Sequence, residues 1–318
     1  CFSNLLFFLY VSTRRQGITL VALAAAAALN VGLNAALLPR VGVEGAIWAT
    51  IRPDQGHRVH AAVAKAPLFR HFPVSMKQRS LSRNRWRRLS WLRFVLQLFT
   101  VALAYFAASI PPILLFGETN AGVLGSVVLS MLAALLVARL WLASDGSLRH
   151  AWSLRPPQNM PRTLALAAMG TGVITFLFAA GAGVIDALGL PPIDVSMVLD
   201  YVTQGPVSFM LWVVLVAWLA AGLGEELLYR GFLLDRLMRL RGMRGRRWPA
   251  AIIQAALFGL PHLYQGWGGV LVTASIGLFL AWLRFANRGN LWACILAHAA
   301  IDTIMLSLAY SQSLGWIS

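Results

Sequence analysis

Apolar positions along this chain come in long unbroken blocks separated by short polar segments, not in the short periods of a water-soluble fold. A helix that crosses lipid needs about 20 consecutive apolar residues. Residues 1–12 read as the tail of one such span and residues 17–38 (GITLVALAAAAALNVGLNAALL) as a second. A basic stretch from Arg52 to Arg88 follows and contains KQRSLSRNRWRR. Two long apolar runs, 92–116 and 121–143, are split by GETNAG, and runs at 163–190, 206–223, 249–265, 269–285 and 291–310 follow. The pattern predicts an all-α, multi-pass transmembrane helix bundle. It would have about seven to eight spans in residues 91–318 and one or two more at the N-terminus.

Loop charge tests this map. The loops before 92 and at 144–161, 236–247 and 284–288 are basic, whereas those at 117–120, 191–205 and 264–268 contain no Lys or Arg. Every second loop is therefore basic, as a positive-inside orientation requires, and a wrong span count would break the alternation. The expected location is a cell (inner or plasma) membrane, with the basic loops cytoplasmic and the lipid bilayer as the first partner.

Composition agrees. Hydrophobic residues make up 58% of the 318 and charged residues only 12%, against about 25% charged in a soluble domain. A net charge of +16 would suggest nucleic acid in a soluble protein, but here the cations cluster between apolar runs, so no nucleic-acid partner is expected. Cys1 and Cys294 are the only cysteines, which implies neither a disulfide framework nor CxxC metal spacing. A chain that starts at Cys1 instead of Met reads as a fragment, an open-ended gene reading or a processed product.

Within residues 1–50 the stretch LNVGLNAALLPRVGVEGAIWAT resembles the last helices of polysaccharide flippases. Residues 51–90 form a basic linker that matches no pattern. A gene fusion, a frameshift joining neighbouring genes and an ordinary extra hairpin each account for this arrangement. A transport path needs many more helices, so the resemblance assigns no flippase activity.

The chemistry lies in the third segment, 91–318. From residue 206 onward the only acids are Glu225, Glu226, Asp235 and Asp302, and the only histidines are His262 and His298. All but Asp235 sit in or beside apolar runs. An ionised group at a helix centre in lipid costs at least about 2.5 kcal/mol, so such groups persist where a polar cavity uses them. Glu226 and Arg230 are at i,i+4 with the acid N-terminal, which favours an ion pair. On an α-helix Glu225 would point about 100° away and be left to take a proton. Phe258 and His262 share the same spacing, as do His298 and Asp302. Each feature has a plainer reading. The acid pair can be interfacial, Pro261 can merely kink a helix, and His298 with Asp302 can be a helix-locking hydrogen bond. Joint occurrence carries the functional reading.

GEELLYRGF (224–232), FGLPH (258–262) and HAAID (298–302) resemble the EExxxR, FxxxH and HxxxN (or D) motifs of the CPBP membrane proteases. That family contains CAAX prenyl proteases and the Abi-type bacteriocin-processing and self-immunity proteins. The resemblance implies an intramembrane endopeptidase that hydrolyses a hydrophobic, lipidated or membrane-embedded peptide. It implies that Glu225 and His262 activate a water and that His298 with Asp302 stabilises the oxyanion, beside the pair of Glu226 and Arg230. A charged Asp302 would repel that oxyanion. A protonated Asp302 would serve, and a charged one would instead orient His298. Two His and one or two Glu also have the chemistry to bind zinc, through Glu225, His262 and His298, although no HExxH is present and a glutamate-activated water needs no metal. The competing classes are a non-catalytic scaffold or self-immunity protein and a transporter. A relic site would have lost at least one of Glu225, His262 or His298, and a transporter would need intramembrane charge in residues 1–60.

Overall fold

The computed structural model describes residues 89–317. The flippase-like segment and the basic linker lie outside the described residues, apart from Leu89 and Ser90. The regular structure of the described part is all helical but for one backbone bridge between Leu89 and Leu240.

The first helix, α1 (Trp91–Phe116), starts where Ser90 accepts a hydrogen bond from Arg93 N. α2 (Asn120–Ser144) is capped in the same way by Thr119, and α4 (Met160–Ala187) by Asn159. Short polar residues cap these helices because their side chains satisfy amides that have no partner within the helix. Two short pieces, α3 (Leu148–Ala151) and α5 (Ser196–Val202), flank α4. The long helix α6 (Pro206–Arg239) is wound wider, as a π-helix, over Trp212–Leu233. This corrects the α-helical spacing expected around Glu225 and Glu226. Wide π winding is rare and concentrates at functional sites. α7 (Arg247–Gly259) ends in a tighter turn, Leu260–Gln265, that leads into α8 (Gly266–Ala286), and α9 (Trp292–Ser313) closes the bundle.

Six helical stretches among the described residues are long and apolar enough to cross a membrane. One of them, Arg247–Ala286, folds back on itself and so contains two of the runs read from sequence. Trp248 meets Phe285 at one end, and Gly259 closes on Val270 and Ala274 at the other. α7 alone is 13 residues, or about 20 Å, well short of a hydrocarbon core of about 30 Å.

Loop contacts confirm the alternation. At one end Arg241 N donates to Leu89 O, Arg236 pairs with Asp145, and Arg162 donates to Ala286 O. At the other, Asp194 N donates to Gln265 O and the Tyr201 hydroxyl donates to Glu118 O. The basic loops among the described residues, 144–161, 236–247 and 284–288, gather at the first end.

α6 is central and packs on α2 and α9 and, less extensively, on α7 and α8. Small residues set the closeness. A Cβ on Gly222 would lie 2.7 Å from that of Ala299 on α9, and one on Gly277 would lie 2.9 Å from the Phe258 ring. Lipid gives helices little hydrophobic reason to associate, so such close approach is what lets them pack.

Candidate active site

Three elements bring the motif residues together. α6 carries Glu225, Glu226 and Arg230, the turn after α7 carries His262, and α9 carries His298 and Asp302. Glu226 and Arg230 are wholly buried, and Glu225, His262 and His298 are each under 10% exposed.

Glu226 is the hub. Its Oε1 accepts from Arg230 Nη1 at 2.8 Å and from His298 Nδ1 at 2.8 Å. The expected pairing of Glu226 with Arg230 is therefore present. A carboxylate can only accept, so Nδ1 of His298 carries a proton and its Nε2 faces the other way. There Glu225 Oε2 lies 4.0 Å off and Asp302 Oδ2 3.7 Å off. Glu226, not Asp302, makes the hydrogen bond that orients His298. Asp302 lies on the Nε2 side of the ring.

Phe258 ties the elements together. The Arg230 guanidinium sits 4.0 Å over its ring, Tyr229 meets it edge-on at 4.9 Å, and His262 and His298 lie 5.5 Å and 6.1 Å away by ring centres. His262 Nδ1 donates to Phe258 O at 3.1 Å. Both imidazoles are thus anchored through Nδ1, which in the neutral ring leaves Nε2 as an acceptor. A cation stacked on an aromatic face contributes about 0.5–2 kcal/mol, more where water is excluded. The sequence showed Phe258 only as a wall for His262.

Beside Glu225 lies a cavity of about 180 Å³ walled by α1, α2, α6 and α7. Tyr105, Met131, Tyr229, Phe232 and Leu257 are among its lining, and Glu225 is the one charged residue in it. The sequence did not single out Tyr105 or Tyr229. A tyrosine in an apolar run looks the same whether it packs or faces a site.

The set proposed for zinc is not gathered as a metal site. Among the described residues no group of three His, Cys, Asp or Glu side chains is arranged to hold a metal ion.

Residues 206–304 match the family model of Rce1-like proteins, described as type II CAAX prenyl endopeptidase Rce1-like. That segment is an Rce1-like domain. All three motifs fall inside it, whereas α1 and α2, which wall the cavity beside Glu225, lie outside the Rce1-like match. Comparison with curated proteins and with solved structures gave no match. The family model is described as one of endopeptidases, and the six long apolar helices among the described residues fit a multi-pass membrane protein.

A second buried cluster lies on the last turns of α6, where the sequence pointed to no site. Asp235, fully buried, pairs with Arg236 and Arg239 and with His150 Nδ1 at 3.0 Å. Arg236 also bonds Asp145 and Ser147. Asp145 lies just past α2, and its carboxyl is held below its ordinary value. Burial alone would raise it, but the Ser147 hydroxyl and the Arg236 guanidinium outweigh that.

Proposed function

We propose that the protein is an intramembrane endopeptidase that hydrolyses a peptide bond in a hydrophobic, lipidated or membrane-embedded peptide. The observation that carries this reading is His298, held through Nδ1 by the Arg230-bound Glu226, with Glu225 4.0 Å from its Nε2. Contacts of 3.7–4.0 Å are too long for direct hydrogen bonds but suit bridging by one water.

Glu225 takes a proton from that water as its oxygen attacks the peptide carbonyl carbon, and hands the proton to the leaving amine. Neutral His262 offers Nε2 as an acceptor and orients the water. When doubly protonated, His298 keeps its bond to Glu226 and gains an Nε2 donor for the carbonyl oxygen as that oxygen turns anionic. Asp302 restrains His298 from the same side. No step runs through a metal. The cavity beside Glu225 receives apolar substrate, and the basic loops face the cytoplasm by the positive-inside rule.

The test uses the full chain in liposomes with quenched, lipid-tagged peptides, comparing wild type with Glu225→Ala and His262→Ala. Cleavage abolished by both substitutions supports the reading. A folded wild type that cleaves nothing in a broad library would transfer it to the scaffold or self-immunity class.

A further inference from the structure

Outside the site, the largest unexplained feature is cationic. No acid occurs between Asp145 and Asp186 or between Asp235 and Asp302. The arginines in these stretches divide into two populations. Arg236, Arg239 and Arg284 are buried and bonded to carboxylates or carbonyls. Arg149, Arg155, Arg162, Arg241, Arg244, Arg246, Arg247 and Arg288 are exposed, and among the described residues none of these eight has a carboxylate within ion-pair distance.

Three loops bring these cations together. Arg162 Nη2 donates to Ala286 O at 3.1 Å, and Arg288 Nη1 donates to Gln158 Oε1 at 3.5 Å. Arg247 lies 6.0 Å from the Phe285 ring, and Trp248 meets that ring edge-on at 6.2 Å. The 241–246 turn is fixed to the start of α1, since Leu89 N donates to Arg239 O and Arg241 N to Leu89 O. Arg162, Arg247 and Arg288 therefore surround the exposed end of α8. Their neighbours place this patch at a membrane boundary: Trp248 is 53% exposed, and Ile252 and Ile253 one turn further along α7 are also exposed. An exposed Trp between arginines and lipid-facing isoleucines marks the depth at which headgroups lie.

We propose that Arg162, Arg247 and Arg288 form a binding site for the phosphate of an anionic phospholipid from the surrounding bilayer. The charge is complementary, each guanidinium at this end of α8 carries several donors, and at this depth a headgroup phosphate is already close by. The seat involves no residue of the proposed catalytic set.

The full chain would be purified in mild detergent and titrated with phosphatidylglycerol or phosphatidylcholine, with bound lipid counted by native mass spectrometry. A triple variant (Arg162→Gln, Arg247→Gln, Arg288→Gln) would be compared with a charge-matched control (Arg93→Gln, Arg139→Gln, Arg149→Gln). Each basic residue near anionic lipid contributes about a fivefold factor. Wild type and control should retain phosphatidylglycerol over phosphatidylcholine, and the patch variant should lose at least about tenfold of that preference. Inorganic phosphate should not displace the lipid. Equal retention of both lipids by wild type, equal losses in both triple variants, or displacement by inorganic phosphate would overturn the proposal.

Discussion

α6 carries two buried clusters of charge within three turns of each other, and they are finished differently. Around Asp235 each carboxylate oxygen has a strong partner: Oδ1 meets His150, and Oδ2 meets Arg236 and Arg239. Around Glu226 the satisfaction is partial. Oε1 accepts twice, but Oε2 and the Nε of Arg230 are buried with no hydrogen-bond partner among the described residues, and His298 Nε2 stands 3.7–4.0 Å from two carboxylates. Burial and charge are common to both clusters, so neither marks function alone. Incomplete satisfaction of the carboxylate separates them, because groups aligned but not consumed by one another are ready for a third species.

The largest expected effect falls on the partly satisfied cluster. Glu225→Gln keeps the shape and removes the base, so peptide hydrolysis should drop by roughly 10²–10⁴-fold while the unfolding midpoint in detergent stays near that of wild type. Loss of stability in step with activity would make Glu225 structural and erase the contrast between the clusters.

Arg236→Met makes the opposite cut. It removes the cation that Asp145 and Asp235 share, leaving Asp235 with Arg239 and His150. Breaking a buried pair from one side costs about 3–5 kcal/mol. Denaturant unfolding should register that loss, while turnover per folded molecule changes little. A catalytic loss with intact stability would mean that this end of α6 also serves the reaction.

The contrast was half visible in the sequence. Glu225, Glu226, His262 and His298 stood out because few side chains of their kind interrupt apolar runs. The pairing of Glu226 with Arg230 followed from helical spacing. Asp235 was passed over because it borders a basic loop and looks solvated on paper. Its burial depends on His150, 85 positions away, and on Arg236, which also holds Asp145 from 91 positions away. The contact between His298 and Glu226 spans 72 residues, beyond any local periodicity, so the orienting role was open to Asp302. The fold-back of α7 on α8 was legible from the run lengths, but the π winding of α6 was not, since no residue type encodes it.

A smaller effect tests what aligns the partly satisfied cluster. Phe258→Leu keeps an apolar side chain but removes the ring beneath Arg230 and beside both histidines. The lost cation–π contact should lower stability by about 1–2 kcal/mol. Activity should fall further than that, because His262 and His298 lose a common wall and water placement loosens. If activity follows stability alone, Phe258 is packing and Nδ1 anchoring suffices to hold the rings.

The gentlest discrimination uses pH on the satisfied cluster. Burial would raise the Asp145 carboxyl, but the Ser147 hydroxyl and the Arg236 guanidinium hold it below its ordinary 3.8. A carboxylate with a folded-state value below its unfolded one binds fewer protons when folded. Its contribution is complete above the ordinary value and disappears as pH falls through the folded one. Acid titration of unfolding in detergent should therefore show a destabilising limb below 3.8 that is shallower in Asp145→Asn, whose amide does not titrate. The other acids are common to both proteins, so the difference isolates Asp145. Matching limbs would show that Arg236 is held by Asp235 alone, and the cluster would then be less completely paired than its geometry indicates.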